Sequence, residues 1–142
     1  MRHFGFTGTQ RGLTAVQRER LVALFTHLST RPTAFHHGDC IGADHEAWQI
    51  ASRLPFHLVC HPPIIGAKRA FTQNHEEYTP APYLERNHDI VNASWLLVAT
   101  PGEMTEQLRS GTWATVRYAR KRGIRIITIF PDGSARETKP RR

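Results

Sequence analysis

Cysteine is scarce in this chain: Cys40 and Cys60 are the only two among 142 residues. Two thiols cannot build a disulfide framework, and they read as one turn residue and one buried strand residue. Long apolar runs are also missing, since no stretch approaches the roughly 20 residues that span a bilayer. The opening segment Met1–Thr7 reads as a first strand and lacks the apolar region of a secretion signal. The expectation is a cytoplasmic protein with no membrane partner. Acidic residues are in the minority, 12 against 19 lysines and arginines, which leaves a net charge of +7 and favours anionic partners. Ready-made motifs are absent too. The glycines Gly5, Gly8 and Gly12 are spaced GxxGxxxG rather than GxGxxG, no Gly-Lys-Ser/Thr follows, and there is no GxSxG nucleophile turn. His36, His37, His45 and His61 crowd around Cys40 and Asp44 without a familiar zinc spacing, so no metal and no cofactor are expected.

What is present is an alternation of strand and helix signals. His3–Thr7, 34–37, 56–61, 95–100 and 124–130 read as strands. Thr14 with Gln17 forms a capping box, behind which Leu21, Leu24, Phe25 and Leu28 repeat at helical spacing. Helices follow over 42–54, 82–93 and 111–122, the last ended by Gly123 in the left-handed conformation. Residues 62–81 and 101–109 read as loops, the first with room for a short helix over 68–77. The pattern predicts an α/β fold: a Rossmann-like, doubly wound parallel sheet of about five strands flanked by helices. One domain over 1–133 and a basic tail over 134–142 complete the expected organisation.

Three small-residue turns follow strands and would meet at the carboxyl edge of such a sheet. The first holds Gly8, Thr9 and Arg11: backbone room, hydroxyl donors and a charged fork. The second holds Gly38, Asp39, Gly42 and Asp44. Its carboxylates repel phosphate but accept from ribose or base donors; the alternative is an Asx-turn for Asp39 and backbone N–H partners for Asp44. In the third, Ser110, Gly111 and Thr112 open a helix, where free N–H groups and the dipole seat an anion. Arg86 and Asn87 sit near another helix start, Arg86 as a phosphate clamp or as a surface ion pair. Trp113 reads as core or as a stacking platform. Arg117, Arg120 and Lys121 form a basic late helix, either a solvated face or a nucleic-acid footprint.

In this order, Thr7-Gly8-Thr9, Gly42-Ala43-Asp44-xx-Ala47, Arg86-Asn87-xx-Ile90-Val91 and Ser110-Gly111-Thr112-xx-Thr115 resemble the SLOG superfamily. That group is named for the Smf/DprA DNA-processing proteins and the Lonely guy phosphoribohydrolases, and the resemblance runs from about residue 4 to 133. It implies a Rossmann-like fold that takes nucleotides or nucleotide-derived ligands, in proteins that commonly dimerise. Arg86 matches the phosphoribohydrolase arginine, whereas the catalytic glutamate position falls on Thr115, so no catalytic residue is assigned. The leading expectation is a nucleotide-binding or nucleotide-sensing domain. Gly8, Thr9, Ser110, Gly111 and Thr112 would hold phosphate, Arg86 would clamp it, and Asp39 or Asp44 would read sugar or base. Single-stranded DNA binding through Arg117, Arg120 and Lys121, and N-glycosidase activity on nucleoside monophosphates, stand as alternatives.

Overall fold

Parallel strands bury both faces, so they need apolar residues on each side and helices to cover them. The computed structural model, which describes residues 1–141, meets that need with one seven-stranded sheet and four helices. In chain order these are β1 (Arg2–Gly8), α1 (Ala15–Leu28), β2 (Thr33–His37), α2 (Ala43–Ala51), β3 (His57–Cys60), β4 (Glu76–Glu77), α3 (Tyr83–Asn92), β5 (Leu96–Thr100), α4 (Gly111–Arg122), β6 (Arg125–Ile129) and β7 (Ala135–Thr138). The strand order is β4-β3-β2-β1-β5-β6-β7, all parallel except β7. The chain winds outward from β1 through β2 to β3, then crosses back to place β5 on the other side of β1. The order therefore reverses between β1 and β5, and a crevice opens there at the strands' carboxyl ends.

Helices α1 and α2 cover one face around an aromatic cluster. Phe4, Phe25, Phe35 and Phe56 are buried together, with neighbouring ring centroids 5.3–6.4 Å apart. Each such phenyl contributes on the order of 2 kcal/mol on leaving water. Helices α3 and α4 cover the other face, where Trp113, Val116 and Ala119 pack on Leu97, Ala99 and Ile126. Gly5 of β1 lets α3 lie close, because a Cβ there would come within 2.6 Å of Ile90. The capping box at Thr14 forms in full, and Gly123 ends α4 at φ 74°.

The sheet carries two strands beyond the expected five, both at its edges. β4 is a two-residue pairing of Glu76 and Glu77 with β3, and it lies in the segment read as loop. No α-helix forms over 68–77; a single 3-10 turn at Gly66–Lys68 takes its place. Part of the expected basic tail is also a strand: Ala135–Thr138 returns antiparallel along β6, with Arg125 paired to Glu137. Arg142 at the end of that tail lies outside the described residues. No helix among the described residues is long and apolar enough to cross a membrane.

Candidate functional site

A cavity of about 280 Å³ opens at the carboxyl end of β1, where the strand order reverses. Its walls come from four parts of the chain. Thr7, Gly8 and Gln10 follow β1; Gly38, Cys40 and Asp44 lead into α2. Tyr83, Arg86 and Asn87 belong to the first turns of α3, and Gly111 and Thr112 open α4. Three helix N-termini thus face one space, each with a partial positive charge.

The start of α4 is the part most open to a ligand. Ser110 is the N-cap, and its hydroxyl accepts from the Trp113 N–H at 3.2 Å. That leaves the Gly111 and Thr112 N–H groups without an acceptor among the described residues. Gly111 meets no steric demand, because a Cβ placed on it has nothing within 4 Å. Gly8 is different: a Cβ there would stand 2.6 Å from Ala43, so it is held by packing.

Arg86 forms the back wall and is buried. Its Nη1 donates to the carbonyls of Gly38 and His61, and its Nε donates to Asn87 Oδ1 at 2.7 Å. One Nη2 proton meets the Cys40 sulfur at 3.5 Å, so the other is uncommitted. Gly38 makes this possible, since a Cβ there would lie 2.7 Å from the guanidinium carbon. Beside it, Asp44 is buried and accepts from the Cys40 N–H at 3.3 Å. Burial raises its pKa to about 6 against the opposing pull of Arg86. Burial, with Asp44 nearby, also pushes the Cys40 thiol up, so that group is a neutral wall and not a nucleophile. The Tyr83 hydroxyl is buried with no hydrogen-bond partner among the described residues.

The turn residues divide into lining and scaffold. Gly8, Gly38, Asp44, Arg86, Asn87, Gly111 and Thr112 line the cavity together. Asp39 does not. It sits at φ 55°, fully buried, and its Oδ1 accepts from the Thr72 N–H at 3.0 Å and from the Thr72 hydroxyl, while Arg69 Nε binds Oδ2 at 2.6 Å. Burial works against its charge, but these donors outweigh it and hold the carboxyl below its usual pKa. Asp39 therefore pins the 62–81 segment, and its oxygens are spent. Thr9 supplies carbonyl contacts to Gly12 and Ala43. Arg11 is paired with Glu103, which also accepts from Trp113 Nε1 at 3.0 Å. Gly42, at φ 88°, is wedged against Gln10, and the Thr115 hydroxyl donates to the Gly111 carbonyl at 2.9 Å. Trp113 is core, packed near Phe130.

Neither Arg117 nor Arg120 presents a bare charge. Both reach Glu106 at 3.2 Å, and Arg117 also donates to the carbonyls of Gln107 and Leu108, which holds the 101–109 loop. Lys121 stays exposed. Among the described residues no group of three or more His, Cys, Asp or Glu is placed to hold a metal. The reading by residue type missed Gln10, Cys40 and Tyr83 as lining residues. Tyr83 had a signal: it stands three positions before Arg86, one helical turn away on the same face.

No family model matches the chain, and no curated protein matches it. Solved structures do. The molybdenum cofactor binding protein of the phototrophic bacterium Rippkaea orientalis is 17% identical, with a TM-score of 0.71 over 91% of this chain and 76% of that one. The Moco carrier protein of Chlamydomonas reinhardtii is 18% identical, with a TM-score of 0.66 over 89% and 75%. DNA processing protein A of Helicobacter pylori, described by its single-stranded DNA binding mode, is 18% identical, with a TM-score of 0.64. That match covers 89% of this chain and 64% of the other, so this chain spans less than two thirds of that protein. The chain thus shares with these proteins a Rossmann-like fold, a mostly parallel sheet flanked by helices.

Proposed function

We propose that the cavity binds a nucleotide or nucleotide-derived ligand by its phosphate. The carrying observation is that the two unsatisfied amides of Gly111 and Thr112 open onto the same space as the buried Arg86 guanidinium. The amides and the α4 dipole supply a seat for an anion, and the uncommitted Nη2 proton of Arg86 supplies a charged donor behind it. Asp44, an acceptor when ionised and a donor when protonated, suits a ribose hydroxyl. Its oxygens cannot be placed against the phosphate itself without repulsion. The volume, about 280 Å³, lies just below the usual range of ligand sites, about 300 to 1,000 Å³. It suits a mononucleotide-sized group more than a polymer.

Neighbours of the same fold bind molybdenum cofactor or single-stranded DNA, which supports ligand binding at this kind of crevice without naming the ligand. In N-glycosidase chemistry a carboxylate stabilises the charge that builds on the ribose; Thr115 stands at that motif position with its hydroxyl turned to the helix backbone, and Asp44, the carboxylate that does line the cavity, is assigned here to a ribose hydroxyl. Glu103 and Glu106 are engaged with Arg11 and with Arg117 and Arg120 instead. The reading is therefore a binding or sensing domain. Calorimetric titration against mononucleotides, ADP-ribose and cyclic nucleotides tests it. Saturable binding that Gly111→Asp abolishes is expected; no binding of any of these, or equal binding by the variant, refutes it.

A further inference from the structure

A second cavity, of about 370 Å³, lies at the opposite end of the sheet, between the last turns of α1 and the first residues of β1, β5 and β6. Its rim carries the cations Arg2, Arg31 and Arg125, with His27 beside them. Its floor is apolar: Leu24, Leu28, Leu96 and Ile127. The Trp95 ring stands between two of the rim cations, with the guanidinium carbon of Arg2 4.8 Å and that of Arg125 5.9 Å from its centroid. The frame is rigid. The Arg2 N–H donates to the Pro32 carbonyl and the Trp95 N–H to the His3 carbonyl; Thr33 pairs with Arg2 in the β1–β2 register, and its hydroxyl donates to the Arg31 carbonyl at 2.8 Å.

Balancing of a helix dipole explains only part of this charge. His27 lies in the last turn of α1, where a cation is favourable. Arg2 and Arg125 begin strands, which carry no comparable dipole. Of the three arginines, Arg125 alone has a carboxylate partner among the described residues, Glu137. Two uncompensated guanidiniums therefore face one opening above an apolar floor, a pattern that fits a dianionic head on an apolar body.

We propose that this cleft is a second ligand site, separate from the carboxyl-edge cavity, that takes a phosphate monoester with an aromatic or aliphatic body. Two free positive charges match a phosphate dianion better than a monocarboxylate, and the leucine and isoleucine floor rewards the body with desolvation. The test uses phenyl phosphate, inorganic phosphate and benzoate, followed by the indole N–H signal of Trp95 in a heteronuclear NMR titration and assigned by its loss in Trp95→Phe. Phenyl phosphate is expected to saturate this signal at least tenfold tighter than either inorganic phosphate or benzoate. The Arg2→Gln/Arg31→Gln double variant is expected to weaken it at least tenfold, while Gly111→Asp leaves it unchanged. Both arginines are exposed, so folding survives their replacement. Three results would overturn the proposal: no saturable shift, equal affinity for benzoate or inorganic phosphate, or loss of the shift in Gly111→Asp with none in the arginine variant.

Discussion

At the carboxyl edge of the sheet, cations are answered from within the fold; at the amino edge Arg125 is, by Glu137, but Arg2 and Arg31 are not. Arg11 meets Glu103, Arg69 meets Asp39 and Glu77, and Arg86 is enclosed by two carbonyls, an amide and a sulfur. At the other end Arg2 and Arg31 have no carboxylate partner among the described residues. The difference separates two uses of positive charge. A buried, committed arginine fixes the shape of a site and adds charge behind it. An exposed, uncommitted one adds charge but little structure. Removing the first kind should destabilise the fold; removing the second should change only what it attracts.

The largest effect expected is from Arg86→Met. It leaves Asp44 buried without its counter-charge and frees the carbonyls of Gly38 and His61, which predicts a loss of about 3–5 kcal/mol. Urea denaturation measures it. A loss below about 1 kcal/mol would show that the guanidinium does not hold the carboxyl-edge cavity together. The paired change Arg86→Met/Asp44→Asn should recover part of the loss, because no charge is then stranded.

Acid should damage the link between the two ends. A line of imidazoles runs from His3 near the amino edge through His36 to His61 beyond the end of β3, with ring nitrogens 2.9 and 2.8 Å apart. Burial, then the neighbouring His3, lowers His36 to about 4; burial and His36 lower His61 to about 3; burial lowers His37 to about 4 despite its Asn74 partner. The unfolded chain therefore takes up protons near pH 6.5 that the folded one refuses. This stabilising contribution is complete above that pH and is lost as pH falls toward 4, on the order of 3 kcal/mol per ring. Asp44 acts in the opposite sense. Its raised value of about 6 favours the folded state as pH falls from 6 toward 3.8, but it is one group against three. The urea midpoint should fall steeply between pH 7 and 5, and His61→Phe should flatten that slope. A midpoint constant across this range would mean that the rings stay hydrated in the folded protein.

Glycine changes sharpen the contrast within the carboxyl edge itself. Gly8→Ala forces a methyl against Ala43 and should cost about 1–3 kcal/mol. Gly111→Ala meets nothing and should leave the melting temperature unchanged or slightly higher, since alanine suits a helix better. It should nevertheless weaken the proposed anion site, whose amides it crowds. Equal effects of the two variants on melting would contradict the assignment of Gly8 to packing and Gly111 to ligand access.

The features legible in the sequence are those whose partners are near in the chain. The Thr14–Gln17 box and the left-handed Gly123 are both closed within a few residues, and each formed as read; Ser110, read as a ligand group, instead caps α4 through the Trp113 N–H. The alternation of strand and helix gave the doubly wound sheet because each element's apolar periodicity is local, although its strands pair across the chain, as Phe4 does with Leu96. What could not be read depends on distant partners. Asp39 looked like a ligand group because its oxygens had no local donor; they are taken by Arg69 and Thr72, some thirty residues on. Strand β7 carries Ala135, Arg136, Glu137 and Thr138, which offer no apolar signal. It exists because Asp132 accepts from the Ser134 N–H in the preceding turn and β6 offers an open edge. Arg117 and Arg120 left a solvated face and a nucleic-acid footprint both open, because their partner Glu106 lies eleven and fourteen residues away across a loop.

The smallest effect on stability, and the one that tests the amino edge, is expected from Arg31→Gln. Its side chain has no ion pair among the described residues, and it stands exposed on the connection between α1 and β2. Folding stability should therefore change by less than about 0.5 kcal/mol. A fall of several times that size would make Arg31 a structural residue, answering the partial negative charge at the end of α1. Raising salt separates the two cases. A dipole contact in the first turn from solvent weakens with screening, so wild type would lose stability in 0.5 M salt while Arg31→Gln would not. If both proteins respond to salt alike, the charge at this end has no structural task and remains available to a ligand.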